Sequence, residues 1–202
     1  MLAGTVAFWT MCGLALWFGA RAVCPEGFCR APGFDQKILG AANALRQPWI
    51  DAIISASTWL GSIIVLLPLA LALAWRHWRR SQRAEAILLV LAVGGGWLLA
   101  HAGKLLVVRP RPDLYPALVS LPADLSFPSA HATQITALVL AWLLTAGSWH
   151  TWRGVAAAAL IVLVVAASRI YLQVHFPSDV VVGVVVGAAW VLGLRLLLGS
   201  RA

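Results

Sequence analysis

The sequence predicts an all-α integral membrane bundle of six transmembrane helices, and three observations carry that prediction. Of its 202 residues, 61% are hydrophobic and 11% charged, with a mean hydropathy of +0.87. A soluble domain is nearer half apolar and a quarter charged. Six segments approach the ~20 apolar residues that a helix needs to cross a bilayer. Tryptophans 75, 78, 149 and 152 flank two of the intervening loops, as expected of an aromatic belt at headgroup level. The composition excludes an ordinary cytosolic enzyme and a disordered chain. No repeat or low-complexity linker divides residues 1–202, so the chain is read as a single transmembrane domain.

The elements follow in order. Leu2–Ala20 is too long, and too weakly basic in front, for a cleaved signal peptide, and is taken as the first helix. Residues 21–51 form the longest connection. They hold Cys24, Pro25, Cys29 and Pro32, and the stretch around Lys37–Arg46 suits an amphipathic helix lying in the interface. Cys24 and Cys29 are expected to be bridged, with two free thiols as the alternative, and Cys12 lies inside the first helix. Ala52–Trp75 is the second span and Ala84–Val108 the third, with Gly94-Gly95-Gly96 for close helix packing. The loop between them, 76–83, carries four arginines in eight residues. Thr133–Gly147 is a short fourth span that borrows Ser129 to Ala132 at its start. Gly154–Val174 and Val180–Leu198 complete the set, the last with a Gly183-x-x-x-Gly187 packing pair. His77 and His150 fall in loops and are expected to be solvated.

Fifteen Lys+Arg against seven Asp+Glu give a net charge of +8. No basic run is long enough to point to nucleic acid, so anionic lipid and phosphate-bearing substrates are the better partners. Counted by side, seven basic residues lie with the 76–83 loop and eight opposite. The density of arginine in that loop decides the orientation: a cell (cytoplasmic or inner) membrane protein with both termini cytoplasmic and the Lys104–Pro128 region outside.

Three polar clusters sit where apolar segments end, all on the outer side. The first runs from Lys104 to Arg111-Pro112, the second is S-F-P-S-A-H-A with Ser129 and His131, and the third runs from Ser168-Arg169 through His175 to Asp179. Ionisable groups at membrane depth are costly and mark functional sites. Lys104 and Arg111 are seven apart and would share a helix face, although Pro110 and Pro112 oppose a continued helix. Pro128 suits a first helical position, which would leave the N–H groups of Ser129, Ala130 and His131 free to bind an anion. Arg169 adds a fork that can grip two phosphate oxygens. Asp179, four residues past His175, can reach its imidazole and fix the tautomer. Alone, His175 would be an ordinary capping or interfacial histidine.

Together, K-x6-R-P, P-S-x-H and S-R-x5-H-x3-D resemble the three-part signature of the type-2 phosphatidic acid phosphatase superfamily. Its membrane branch includes lipid phosphate phosphatases and undecaprenyl-diphosphate phosphatases. The resemblance implies His175 as the nucleophile that forms a phosphohistidine, Asp179 as its orienting partner, and His131 as the acid that protonates the leaving oxygen. It implies Lys104, Arg111, Ser129, Ala130 and Arg169 as the phosphate-binding set. Ala130 stands where the family most often has glycine, and its small side chain keeps the backbone N–H accessible. Arg109, by contrast, is read as an interfacial snorkelling residue, and His101 as polar packing. Asp35, Asp51 and Glu85 are read as loop or helix-end residues, and Asp113 and Asp124 as outer-loop ones.

No H-E-x-x-H, paired C-x-x-C or carboxylate cluster offers a metal site, and no glycine-rich nucleotide loop is present. The expected activity is therefore cofactor-free, metal-independent hydrolysis of a lipid phosphate or diphosphate, with no obligatory protein partner. Undecaprenyl diphosphate is the first candidate, followed by phosphatidylglycerol phosphate, phosphatidate and lipid A phosphates. A lipid phosphotransferase using the same intermediate, and a non-enzymatic lipid-binding protein, are the rival classes.

Overall fold

The structure is a computed structural model and describes residues 2–25, 29, 31–121, 123–147 and 151–199. Among the described residues eight α-helices follow one another: α1 (Leu2–Val23), α2 (Gly33–Ala44), α3 (Pro48–Ser57), α4 (Ile63–Trp78), α5 (Arg83–Leu106), α6 (Ala130–Thr145), α7 (Trp152–Tyr171) and α8 (Pro177–Gly199). A 3-10 turn, Thr58–Gly61, joins α3 to α4, and the described residues contain no strand. This all-helical architecture agrees with the all-α part of the prediction, whereas six spans are not reached by length and composition among the described residues. By length and composition, α5, α7 and α8 can each cross a membrane. Thr10–Val23 and α6 are shorter apolar helices.

The second predicted span, Ala52–Trp75, is not one rod. It breaks at the 3-10 turn, and α3 with the turn meets α4 at 47°, so the pair counts as a fourth crossing only as a bent one. The sequence S-T-W-L-G-S explains the break. Ser57 Oγ donates to the Ile54 carbonyl (2.9 Å), and Ser62 caps α4 by accepting from the Ile64 N–H (3.4 Å). Such side chains compete with the helix ladder. Gly61 fits because a Cβ there would lie 2.5 Å from Val165 and 3.2 Å from His131.

Helix α8 is the hub, packing on α1, α5 and α6, while α5 also packs on α4 and α6. The glycine pair permits this closeness. A Cβ on Gly183 would lie 2.7 Å from the Ser129 carbonyl oxygen, and one on Gly187 would strike that of Thr133. Of the triple glycine, Gly95 receives the Trp190 indole and Gly96 packs against Ala137, whereas Gly94 faces open space. Leu98, Leu105, Leu106 and Leu163 stand outward and exposed, as a lipid-facing surface requires.

Helix α2 presents Phe34 and Ile38 outward and buries Asp35 and Leu39, so a helix with an apolar outer face and a polar anchor on its inner face stands in the expected stretch. Cys24 and Cys29 are joined in a disulfide and Cys12 is buried and free. Thiol titration of the denatured, non-reduced protein is accordingly expected to find one free thiol, and three after reduction; three before reduction would refute the bridge. His77 departs from expectation. It is buried, with Nδ1 2.8 Å from Gln82 Oε1, and closes the α4–α5 turn instead of facing solvent. Trp75, Trp78 and Trp152 are exposed as predicted, whereas Trp149 and His150 lie outside the described residues.

Candidate active site

The three sequence clusters converge on one cavity of about 190 Å³, lined by Lys104, Arg111, Asp124, Ala130, His131, Arg169 and His175, with Ser62, Ile63, His101 and Gln134. Lys104 closes α5, Arg111 and Asp124 come from the 107–129 loop, and Arg169 lies in the last turn of α7. His175 sits in the turn between α7 and α8. That turn is sharply defined: the Gln173 N–H bonds to the Ile170 carbonyl (3.0 Å) and the Val174 N–H to that of Arg169 (3.2 Å). This is a Schellman closure, with Gln173 in the left-handed region at φ 59° where glycine is usual. The Gln173 side chain donates to the Leu39 carbonyl (3.0 Å), tying the turn to α2.

The Asp179 carboxylate accepts three hydrogen bonds. Oδ1 accepts from Arg109 Nη1 (2.5 Å), and Oδ2 accepts from Ser126 Oγ (2.5 Å) and the Phe176 N–H (3.0 Å). His175 Nδ1 stands 3.8 Å from Oδ2, beyond a direct hydrogen bond, and 3.4 Å from Ser126 Oγ. The sequence spacing thus brings His175 and Asp179 together, with the Ser126 hydroxyl bridging them. Burial pushes the His175 imidazole down to about 3, and the neighbouring Asp179 offsets this only in part. The ring is therefore neutral around pH 7, and a proton on Nδ1 directs the Nε2 lone pair toward Arg111 Nη1, 3.3 Å away.

Arg109 is not an interfacial residue. It is 1% exposed, and its guanidinium spans Asp179, Ser178 Oγ (2.7 Å) and Asp35 Oδ2 (2.9 Å) while stacking 4.1 Å over the Phe176 ring. Asp35, read as a loop or helix-end residue, lies in the first turn of α2 but is fully buried there, and also accepts from the Ser178 N–H (2.9 Å) and Oγ (2.6 Å). One cation between two carboxylates explains the burial: each charge is paired and hydrogen-bonded, as the interior demands.

The cations of the cavity have partners of their own. Lys104 Nζ bonds the Leu125 carbonyl and lies 3.3 Å from Asp124 Oδ2. Arg111 pairs with Asp124 Oδ1 and donates to the Asp124 (3.0 Å) and Val174 (2.7 Å) carbonyls. Burial alone would push the Asp124 carboxyl up, but the Arg111 hydrogen bond and both cationic charges outweigh it and hold it below the usual carboxylate range. Arg169 Nη1 donates to Thr58 Oγ1 (2.6 Å) in the 3-10 turn. Its Nε is buried without a partner, as is Ser129 Oγ. His101 stacks on Trp97 at 4.2 Å and bonds its carbonyl, the packing role expected of it.

The helix start expected to bind an anion is displaced from its predicted register. Pro128 precedes α6 instead of opening it, Ser129 is the N-cap, and the Ser129 N–H is spent on the Asp179 carbonyl (3.1 Å). The first intrahelical bond runs from Thr133 to Ser129, which leaves the amides of Ala130 and His131 outside the ladder at the cavity wall. Sequence reasoning missed Ser126, Thr58, Asp35 and Arg109. Ser126 had a signal in S-F-P-S, and Asp35 and Arg109 in being charges in a chain that has few.

A helical membrane protein whose polar cavity gathers three cations and three histidines defines a class, the anion-processing membrane enzymes. The chain belongs to the PAP2 superfamily, whose family model matches residues 84–201. It is a membrane lipid phosphatase of that family, a phosphoric ester hydrolase. It is 31% identical over 159 residues to phosphatidylglycerophosphatase B of Bacillus subtilis, covering 76% of this chain and 77% of that protein. Decaprenylphosphoryl-5-phosphoribose phosphatase of Mycobacterium tuberculosis is 46% identical over 105 residues, 48% of this chain and 55% of that one. Undecaprenyl-diphosphatase of Sulfolobus acidocaldarius is 27% identical over 173 residues, covering 83% and 80%. The crystal structure of the transmembrane PAP2-type phosphatidylglycerolphosphate phosphatase from B. subtilis superposes with a TM-score of 0.75 at 28% identity, covering 94% and 93%.

Proposed function

We propose that the protein hydrolyses the terminal phosphate of a polyprenyl-class lipid through a covalent phosphohistidine on His175. The observation that carries this reading is the placement of His175 Nε2 in a cavity ringed by Lys104, Arg111 and Arg169, with the Asp179 carboxylate held behind Nδ1. The imidazole attacks phosphorus, and the cations together with the Ala130 and His131 amides take the charge of the equatorial oxygens. Ser129 Oγ, buried and without a protein partner, can donate to one of them. His131 donates a proton to the leaving oxygen and then draws one from the attacking water. Asp179 stabilises the imidazolium through Ser126. In the bilayer the chain makes six crossings, with α3 and α4 as one bent span. Both termini are cytoplasmic, and the cavity opens at the outer headgroup level of the cytoplasmic membrane.

Undecaprenyl diphosphate is the first substrate. The 46% identity with a phosphatase named for a polyprenyl-linked phosphoribose favours a second reading, a phosphomonoester on a polyprenyl-linked sugar. Release of inorganic phosphate by the purified protein from both polyprenyl lipids, phosphatidylglycerol phosphate, phosphatidate and a lipid A phosphate decides between them. Fastest turnover of undecaprenyl diphosphate is expected, and faster turnover of a glycerolipid would overturn the polyprenyl assignment. The reaction is expected to persist in EDTA and to be blocked by vanadate, whose five-coordinate form matches the cationic site. Loss of activity in EDTA that magnesium restores would refute the metal-free mechanism.

A further inference from the structure

We propose that Asp124 is a resident counter-ion in the phosphate seat, displaced by the substrate, and that it sets which phosphates are admitted. The inference rests on the reading that Lys104 and Arg111 grip the substrate phosphate. Asp124 spans both cations, with one carboxylate oxygen on Lys104 and the other on Arg111, much as two phosphate oxygens would. The two cationic side chains are 5% and 8% exposed, while that of Asp124 is 40% exposed. The carboxylate therefore lies on the solvent side of two nearly buried positive charges. Without an anion these charges would be buried unpaired, which is costly. Asp124 supplies that anion while the site waits for substrate, and its backbone carbonyl and that of Leu125 add to the hold.

The consequence is selection by charge. At the headgroup level the commonest anions are phosphodiesters, each with one negative charge. Exchanging Asp124 for such an ion gains no charge, and the tethered carboxylate acts at a high effective concentration. A terminal phosphate or diphosphate brings two or more charges and can also engage Arg169 and the start of α6. Asp124 thus holds the seat against phospholipid diesters and yields it to hydrolysable phosphates.

The test is inhibition of turnover by two soluble probes, inorganic phosphate and the monoanionic diester diethyl phosphate, in the intact protein in detergent. Asp124→Asn is expected to lower the inhibition constant for inorganic phosphate by about tenfold, a typical worth of one close charge in a part-buried site. It is also expected to make diethyl phosphate an inhibitor where the parent protein resists it. Asp124→Glu should keep the parent behaviour, and Asp124→Ser replaces the asparagine variant should that one fail to fold. Weaker or unchanged phosphate inhibition in both neutral variants would mean that Asp124 only braces the cations, and would overturn the proposal. Lys104→Ala and Arg111→Ala separate the two levels. If neither weakens phosphate inhibition, the phosphate-grip reading itself fails and the proposal falls with it.

Discussion

Replacing His175 with alanine is expected to abolish turnover by on the order of 10⁴-fold or more and to leave no trapped phosphoenzyme with any substrate. His175 contributes the Nε2 that faces Arg111 in the cavity. His131→Ala should act differently. General acid–base help is typically worth ~10²–10⁴-fold, and both halves of the reaction should slow. With a poor leaving group, such as a lipid alkoxide, formation is slowest and the intermediate stays hidden. With a good one, such as the lipid phosphate expelled from a diphosphate, hydrolysis of the intermediate limits and phosphohistidine accumulates. Asp179→Asn should fall between the two, because the imidazolium loses a negative charge behind Nδ1 while Ser126 still bridges. Rapid quench with radiolabelled lipid diphosphate, scored as acid-labile and base-stable protein label, separates the three variants. Label that persists in His175→Ala would overturn the nucleophile assignment.

The parts of this site that sequence could reveal are those that repeat a fixed chemistry at a fixed spacing. Lys104, Arg111, His131, Arg169, His175 and Asp179 all reach the cavity or its edge because their separations are set by local geometry: a helix end, a helix start and a four-residue turn. The hydrophobic runs likewise announced the helices, since apolar length is a property of the segment alone. What escaped depends on contacts between distant segments. Arg109 lies two residues from Arg111, and nothing local distinguishes an arginine that snorkels from one that finds Asp35, 74 positions earlier, and Asp179, 70 positions later. The break within residues 52–75 escaped because apolarity runs through it. Only the small and hydroxyl residues of S-T-W-L-G-S, and the approach of Val165 and His131 to Gly61, disclose it. The start of α6 slipped by two positions for a similar reason. A Pro-Ser pair fits either register, and the Asp179 carbonyl, which takes the Ser129 amide, decides.

Arg109→Met is expected to cost about 3–5 kcal/mol of stability, because it leaves the Asp35 and Asp179 carboxylates buried without their shared cation. The double variant Asp35→Asn/Arg109→Met should be less damaged than the sum of its two single changes. Once the arginine is gone, neutralising Asp35 removes a charge that no longer has a partner, whereas in the parent protein the same change removes half of a pair. Activity should follow a different course. Asp179 loses the Nη1 donor in both arginine variants, and the carboxylate is then free to turn from Ser126 and the Phe176 amide. Turnover should therefore stay low in the double variant even where its stability recovers. The measurements are thermal unfolding in detergent and phosphate release by each single variant and the double. Strictly additive stability losses would show that Asp35 and Arg109 act through separate contacts. Full recovery of turnover alongside stability would show that Arg109 holds the fold without positioning the carboxylate behind His175.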